Sequence, residues 1–308
     1  MPAATLLFRT VRRRTSIPCR LLRIESALRF DNGRERRYDG IEVIEIERFH
    51  NCIFDLYGTL VDIHTDEEPA AFWRWLAERY RTIGAVYEPE ALKKRYRELV
   101  TEGERRLKKE TGCTFPEIRL EDVFRDLIDD GSQHNRRPFA RGSAGETAWI
   151  EETAAEFRER SRDRLAVYPG ALELLNILRA KGKRVYLLSN AQAVFTRPEL
   201  DLCGLADAFD DIFLSSDRGV KKPEPRFLGD LMAAHRMDPD RTVLIGNDWT
   251  SDMAVAAANG IHAVHVNSDG WYTGEKNAFR TELERRFGYE AVSRIREAES
   301  LAELLASA

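Results

Sequence analysis

Several apolar segments of the chain are followed by polar residues that could perform chemistry. They supply carboxylates, a cation, a hydroxyl and amides, at Asp55, Ser189, Asn190, Lys222, Asn247 and Asp248. An aspartate at the end of a strand can attack phosphorus and form an aspartyl phosphate. Because attack of an anion on an anion needs positive charge nearby, Lys222 would be the natural neighbour. The set therefore indicates phosphoryl transfer with Asp55 as the nucleophile.

The same carboxylates suit a metal ion. Mg²⁺ prefers oxygen ligands, and Asp55 together with Asp248 or Asp252 could supply them. The main-chain carbonyl of Tyr57 could complete the set. We therefore expect Mg²⁺ as the cofactor.

The phosphoryl oxygens need partners of their own. Lys222, Ser189 and the backbone N–H groups at 56–59 could hold them, and Asn190 offers an amide beside Ser189. A small phosphorylated metabolite is therefore the expected substrate.

Each of these features also has a purely structural explanation. An aspartate at a strand end often caps a helix or a turn, so that Asp248 or Ser251 could simply cap the next helix. The pair Ser189-Asn190 could start a turn, and Lys222 could lie in a solvated loop. The four features occur in order on one alternating pattern of strands and helices: Asp55, Ser189-Asn190, Lys222 and Asn247-Asp248. That combination favours the functional interpretation.

The fold that must position these residues is α/β. Apolar runs predict strands at 51–56, 184–190, 211–216, 241–248 and 262–267, and helices are predicted between them near 170–182, 196–204, 223–236 and 251–260. Strands alternating with helices indicate a doubly wound parallel sheet. In such sheets ligands bind beyond the carboxyl ends of the strands, where the polar residues lie.

A long charged region separates the first strand from the others. Residues 67–164 are predicted to be helical, with a break at 129–146 and a third helix from about Glu146 to Arg164. Trp73 and Trp75 are expected to pack within this region.

These patterns divide the chain into four parts. We predict a basic N-terminal extension at 1–48, a core at 49–64 and 166–268, a helical cap at 65–165 and a helical C-terminal segment at 269–308.

Three of the polar positions resemble motifs of the haloacid dehalogenase superfamily. Its first motif, D-x-D-x-T, matches Asp55 and Thr59, with Tyr57 in the second acidic place. Its second, a Ser or Thr at a strand end, matches Ser189. Its third, a Lys before Pro, matches Lys222 in the sequence GVKKPEP.

The fourth motif, an acidic pattern, is matched by GNDWTSD, where Asn247 takes the usual first acidic place and Asp248 can substitute. The resemblance covers about 49–268 and implies that the long helical insertion is a mobile cap that selects the substrate. It also implies roles for individual residues: Asp55 as nucleophile, Thr59 and Ser189 as phosphate ligands, and Lys222 as the charge anchor.

Tyr57 departs from the pattern of the family's phosphatases, in which the second aspartate is general acid and then general base. A phenol with an ordinary pKa of about 10 is a poor base. The D-x-Y-G-T form also resembles 2-haloacid dehalogenases, which use the same nucleophile on carbon without a metal. Because GNDWTSD keeps two acids, we favour a metal-dependent phosphohydrolase.

Losing the acid matters least when the leaving group needs no proton. We therefore hypothesise that the substrates are acyl phosphates, pyrophosphates or other esters with good leaving groups. A third possibility is a catalytically weakened member of the superfamily that binds a phosphorylated metabolite or a protein, with Tyr57 marking the lost activity.

The composition of the chain argues against several other classes of protein. The chain has 308 residues, of which 43% are hydrophobic and 32% charged, with a net charge of −4. The near balance argues against nucleic acid as the main partner, and no apolar run is long enough to span a membrane. Four scattered cysteines without a CxxC pair fit a reducing cytosol.

The N-terminus has a different character from the rest of the chain. Six arginines and no acid precede Glu25. Such a segment is either a disordered basic tail, a start codon placed too far upstream, or an organelle-targeting peptide. A basic tail that binds acidic surfaces is a further and weaker idea.

Overall fold

The computed structural model describes residues 45–132, 137–268, 276–306 and 308. The predictions made for residues 1–44 lie outside this part of the chain. So do residues 133–136 of the predicted break and residues 269–275 of the predicted C-terminal segment.

A parallel sheet of six strands organises the core; the sequence predicts the first five of them, and the sixth lies in the C-terminal segment that was predicted to be helical. Numbered along the chain, its strands are β1 (Asn51–Phe54), β4 (Arg184–Ser189), β5 (Asp211–Leu214), β6 (Thr242–Gly246), β7 (His262–Val266) and β8 (Ile295–Ala298). The strand order is β5-β4-β1-β6-β7-β8, and every neighbouring pair is parallel. The chain reverses its winding direction at β1, and this switch point is where open α/β sheets bind ligands.

Helices cover both faces of this sheet. They are α5 (Ala171–Ala180), α6 (Ala193–Leu202), α7 (Ser215–Arg218), α8 (Pro225–Ala234), α9 (Ala254–Ala258), α10 (Lys276–Phe287), α11 (Tyr289–Ser293) and α12 (Leu301–Leu305). Alternate residues of a strand point to opposite faces, so Cys52 and Phe54 pack with α5, α6 and α12, whereas Ile53 packs with α8 to α11. Burial on both faces explains why the residues of β1 after Asn51 are all apolar.

A two-stranded antiparallel sheet joins the core to the helical insertion. It pairs β2 (Val61–Thr65) with β3 (Arg162–Val167). The last helix of the insertion, predicted to run to about Arg164, ends at Ser161 instead, because residues 162–167 form β3 and pair with β2.

Between β2 and β3 the described residues form four α-helices, and we call residues 70–161 the cap. Its helices are α1 (Ala70–Arg81), α2 (Pro89–Thr111), α3 (Leu120–Gly131) and α4 (Ala144–Ser161). An aromatic cluster forms its centre: the ring of Phe157 lies 4.7 Å from that of Phe72 and 5.4 Å from that of Phe124. Trp73 is buried among them, as predicted, whereas Trp75 is only partly buried at the edge of the cluster.

The end of the chain differs from the purely helical segment that was predicted. Residues 295–298 form β8, which extends the sheet by pairing with β7. The short length and mixed composition of the strand, IREA, give no apolar run that would identify it. None of the helices in the described ranges combines the length and the apolar character needed to cross a bilayer.

Candidate active site

The carboxyl ends of the central strands bring the predicted residues together. Lys222 Nζ lies 2.6 Å from Asp55 Oδ1 and 2.6 Å from Asp252 Oδ1, and it also donates to the carbonyl of Leu188 at 2.8 Å. We call Asp55, Lys222 and Asp252 the Lys222 cluster. All three are buried, with the Lys222 side chain only 1% exposed. Three residues that are distant in sequence thus form one ion cluster at the switch point of the sheet.

Asp252 reaches this cluster because the residue beside its carboxylate, Gly246, has no side chain. A Cβ on Gly246, the last residue of β6, would lie 2.4 Å from the Asp252 carboxyl carbon, so only glycine fits. Asp252 belongs to a π-helical turn, Trp249–Met253, of a type often found at functional sites. Its second oxygen accepts from the backbone N–H of Asp248 at 3.1 Å.

The first-motif loop is packed against the fourth motif in a similar way. Gly58 has φ +84°, and a Cβ there would lie 2.2 Å from the Asn247 side-chain nitrogen. Thr59 Oγ1 lies 3.4 Å from both Asp55 Oδ2 and Asn247 Oδ1. Asn247 therefore occupies the position beside the nucleophile loop that the sequence analysis assigned to the first acidic place.

The remaining predicted residues have different surroundings. Asp248 accepts from Thr250 N at 2.7 Å and from Thr250 Oγ1 at 2.8 Å, which is the capping role that was the structural alternative. The Asn190 side chain binds the backbone of Lys222 through two hydrogen bonds, accepting from its N–H at 2.8 Å and donating to its carbonyl at 3.0 Å. Ser189 is buried at the end of β4, the strand next to β1.

The electrostatics keep Lys222 charged. Burial alone lowers the pKa of Lys222, but Asp252 and Asp55 outweigh it and raise that pKa above its ordinary value. Burial raises the pKa of Asp252, and the charge of Lys222 opposes this rise. When Asp252 is ionised, the single ammonium group lies between two carboxylates and the cluster carries an excess of negative charge.

Tyr57, the departure from the family's phosphatase pattern, points to a second cluster. Its hydroxyl donates to Glu199 Oε2 and lies 3.1 Å from Thr196 Oγ1. Glu199 also accepts from Arg158 Nε at 2.8 Å and from Arg162 at 2.6 Å. We call Tyr57, Thr196, Glu199, Arg158 and Arg162 the Glu199 cluster. It joins the first-motif loop and α6 of the core to α4 of the cap.

Charge is arranged in the opposite sense in this cluster. Burial raises the pKa of Tyr57, with the charge of Glu199 adding to the rise, so the phenol stays protonated. Burial alone raises the pKa of Glu199, but hydrogen bonds, first from Arg158 and then from Tyr57 and Arg162, lower it below its usual range. Two guanidinium groups surround one carboxylate, which leaves an excess of positive charge.

Several residues that hold the site are not identified by any sequence pattern described above. His265 Nε2 lies 2.9 Å from the carbonyl of Asn247 and fixes the start of the fourth motif. A histidine within an apolar strand, beside a motif, is a weak signal that could have drawn attention to it. Glu199 and Arg158 lie on two helices with many other charged residues, and nothing in the sequence distinguishes them.

The donor set suits a hard cation in part. Among the described residues, no three His, Cys, Asp or Glu side chains are arranged to hold a metal ion by themselves. Mg²⁺ does not require such a set, because it is usually held by one or two carboxylates together with waters and substrate phosphate. Asp55 and the carbonyl of Tyr57 fit that pattern, and so does the excess negative charge of the Lys222 cluster. Both oxygens of Asp252 are already engaged, by Lys222 and by the Asp248 N–H.

Comparison with known proteins places this geometry in a family. The model of the haloacid dehalogenase-like hydrolases matches residues 49–260, which is more than half of the chain. The chain belongs to this family. The resemblance inferred from the sequence is thereby confirmed at the level of the superfamily.

Individual relatives include both of the chemistries considered above. A phosphoserine phosphatase from Thermus thermophilus is 31% identical over 147 residues, 48% of this chain and 54% of that protein. An (S)-2-haloacid dehalogenase 4A from Burkholderia cepacia is 24% identical over 233 residues, 73% of this chain and 86% of that protein. The chain spans about half the length of the first three curated relatives that it matches, 54%, 46% and 56%.

A solved structure shows the shared fold. The 2-haloacid dehalogenase from Pseudomonas syringae pv. Tomato DC3000 has a TM-score of 0.54 at 22% identity, covering 84% of this chain and 97% of that one. The α/β class predicted from the sequence is therefore confirmed.

Proposed function

We propose that the protein is a Mg²⁺-dependent phosphohydrolase that acts on a small phosphorylated substrate through an aspartyl phosphate on Asp55. The observation that carries this proposal is the position of Lys222 Nζ, 2.6 Å from both Asp55 and Asp252 in a buried site. A cation held there neutralises the nucleophile and the incoming phosphoryl charge, which attack of an anion on an anion requires.

The reaction proceeds in two displacements. A carboxylate oxygen of Asp55 attacks phosphorus, the bond from phosphorus to the leaving oxygen breaks, and that oxygen departs with the electron pair. Water then attacks the phosphorus of the aspartyl phosphate, the bond to the Asp55 oxygen breaks and regenerates the carboxylate, and inorganic phosphate leaves with the water oxygen and its protons. Thr59, Ser189 and Lys222 are the proposed partners of the phosphoryl oxygens, and Asn190 holds the backbone of Lys222 in place.

Magnesium, when bound, would neutralise charge on the phosphoryl oxygens and orient them for in-line attack. Asp55 and the carbonyl of Tyr57 would hold it. Asp248 and Asp252 complete the predicted ligand set, with Asp252 limited to a supporting role by its contacts with Lys222 and Asp248 N.

The position of Tyr57 supports a preference for good leaving groups. Its hydroxyl is bound to Glu199 and Thr196, and burial raises its pKa, so it is a poor candidate for proton transfer. A leaving group that needs no proton then reacts best, such as the carboxylate released from an acyl phosphate.

A panel of phosphate esters with graded leaving-group pKa tests this proposal. We expect kcat/KM to fall steeply from acetyl phosphate through aryl phosphates to alkyl phosphates, and to be lost when EDTA removes the metal. Equal rates on alkyl and acyl phosphates would show that another group donates the proton. No phosphate release from any member of the panel, in the presence of Mg²⁺, would contradict the function itself.

A metal-independent 2-haloacid dehalogenase is the second candidate. One observation favours it: both oxygens of Asp252 are satisfied by protein groups, so the Lys222 cluster is complete without a metal. Chloride release from 2-chloropropionate in EDTA, measured on the same preparation, distinguishes the two. We expect none.

A further inference from the structure

The cap also contacts the core at a place separate from both the β2–β3 connection and the Glu199 cluster. The segment 113–118 of the cap lies against the loop 219–224, which carries Lys222. Its Phe115 carbonyl accepts from Lys221 N at 3.0 Å, and its Glu117 N donates to the carbonyl of Gly219 at 3.2 Å. Two chain segments from different parts of the fold are thus paired through their backbones.

Glu224 strengthens this pairing from the core side. One oxygen of its carboxylate accepts from two successive N–H groups of the cap, Thr114 at 2.8 Å and Phe115 at 3.2 Å. Hydrogen bonds from backbone N–H groups to an ionised carboxylate are stronger than those to neutral acceptors. Glu224 stands two residues after Lys222, so the carboxylate ties the cap directly to the loop of the charge anchor.

Glu117 makes the matching contacts from the cap side. Its carboxylate lies 3.6 Å from Lys221 Nζ, accepts from Ser215 Oγ at 3.3 Å and accepts from Gln192 Nε2 at 3.1 Å. Gln192 in turn accepts from Leu120 N at 2.9 Å. The side chain of Glu117 is 14% exposed, so these bonds are largely shielded from water.

Adjacent residues of the loop are therefore held by different parts of the molecule. Lys221 N–H is bound to the cap through Phe115, whereas Lys222 N–H is bound to the core through Asn190. The Lys222 side chain continues from this point to Asp55. Because only the backbone of Lys221 separates the two N–H groups, a movement of the cap segment would be transmitted to the backbone that positions the ammonium group.

We propose that segments 113–118 and 219–224 form a clasp in which Glu224 and Glu117 are positioning residues, so that Lys222 is correctly placed only while the cap is closed. The clasp opens and closes as one unit. The part of this inference that concerns turnover rests on the proposed function, whereas the part that concerns the cooperative opening does not.

Amide hydrogen exchange with residue resolution tests the cooperative unit without any substrate. In Glu224→Ala the amides of Thr114 and Phe115 lose their acceptor and must exchange faster, so they are uninformative. The informative amides are those of Glu117, Lys221 and Lys222, whose acceptors remain. We expect all three to exchange at least about tenfold faster, the loss expected from removing a charge-assisted bond.

Two variants control for trivial effects. Glu224→Gln keeps a carbonyl oxygen that can accept from the same two N–H groups, and we expect it to restore most of the protection. Glu303→Ala removes another carboxylate that accepts from a backbone N–H, that of Glu299 at 2.8 Å, at a place remote from the cap. It should leave the three amides unchanged.

The result that overturns the proposal is equally specific. If Glu117 and Lys221 keep their protection in Glu224→Ala, the two segments do not open together. If they exchange faster but Lys222 does not, Asn190 alone fixes the loop and the cap does not control the ammonium group.

Turnover of acetyl phosphate provides the second measurement. We expect Glu224→Ala to lower kcat as well as raise KM, with a fall in kcat/KM of about tenfold or more. A rise in KM with unchanged kcat would mean that the segment only closes the site, without positioning Lys222. A failure of the wild-type protein to release phosphate would contradict the proposed function and leave the exchange result standing.

Discussion

The two ion clusters beside the first motif have opposite compositions. In the Lys222 cluster one ammonium group lies between two carboxylates, whereas in the Glu199 cluster one carboxylate lies between two guanidinium groups and a phenol. The first is built only from residues that follow core strands. The second combines a core loop, a core helix, a cap helix and the strand β3.

This difference separates chemistry from attachment. The Lys222 cluster places a nucleophile beside a cation, and its excess negative charge suits a bound cation. In the Glu199 cluster the hydroxyl of Tyr57 is bonded where the cap meets the core, and burial there raises the pKa of Tyr57. Tyr57, which stands where the phosphatase pattern has its second aspartate, is therefore bonded within the cluster that joins the cap to the core.

Replacing Asp55, the proposed nucleophile in the Lys222 cluster, should have the largest effect on turnover. Asp55→Asn should lower turnover by about 10⁴-fold or more, because removing a nucleophile typically costs at least that much. The amide still offers an oxygen to Lys222, so the thermal unfolding midpoint should change little. Phosphate release and circular dichroism measure the two effects. Turnover close to that of the wild type would show that Asp55 is not the nucleophile.

Removing the cation of the Lys222 cluster should lower the stability of the folded protein. Lys222→Met leaves Asp55 and Asp252 buried without a cation beside them, and we expect a loss of about 3–5 kcal/mol in the free energy of unfolding. Adding Asp252→Asn should restore part of this loss, since one uncompensated charge is removed. Urea unfolding of the single and double variants measures it. A loss below about 1 kcal/mol would mean that the cluster is hydrated.

The matching change in the other cluster should cost less. Glu199→Gln keeps an acceptor for Tyr57 but removes the charge between Arg158 and Arg162, with an expected loss of about 1–3 kcal/mol at pH 7. Turnover should fall less than in Asp55→Asn, because Glu199 does not contact the Lys222 cluster. A loss of turnover equal to that of Asp55→Asn would merge the two clusters into one functional unit.

The pH dependence sharpens this contrast. The folded protein holds the pKa of Glu199 below its ordinary value of 4.5, against the effect of burial, so its charge stabilises the fold above that value. That stability is lost as the pH falls from 4.5 through the lowered folded-state pKa. The difference in unfolding free energy between wild type and Glu199→Gln should therefore be constant above about pH 6 and shrink below 4.5. Urea unfolding at pH 7 and at pH 4 compares the two. A difference that is unchanged at the lower pH would contradict the lowered pKa.

The smallest effect is expected for Tyr57→Phe. It removes one hydroxyl and its bonds to Glu199 and Thr196, which should cost about 0.5–1.5 kcal/mol in stability. Rates on acetyl phosphate should stay close to those of the wild type. A fall of about 10²-fold or more would show that the phenol takes part in proton transfer and that its present contacts are not those of the reacting enzyme.

The Lys222 cluster could be predicted from the sequence because a parallel sheet collects strand ends at one edge. Asp55, Lys222 and Asp252 needed only the correct strands, and the alternation of strands and helices supplied those. The role of Asp248 was less certain, because a carboxylate after a strand can be a ligand or a cap. In the structure Asp248 accepts hydrogen bonds from Thr250, as a capping residue does, and the part of Asp248 in metal binding stays a prediction.

The Glu199 cluster could not be predicted in the same way. Its members are brought together by the packing of a cap helix against a core helix, including Phe157 against Phe195 at 6.0 Å. No sequence spacing encodes such an encounter, and the region contains many other arginines. The strand β8 escaped prediction for a different reason, since it is short and pairs only because β7 offers a free edge.

That last strand links the end of the chain to its reactive centre. β8 covers β7, and β7 carries His265, which holds the backbone of Asn247 against the nucleophile loop. A chain shortened before Ile295 would replace the charged edge strand β8 with the more apolar β7, whose open edge invites self-association. Trimming the apparently dispensable carboxyl terminus would thus damage solubility and the geometry around Asp55 together.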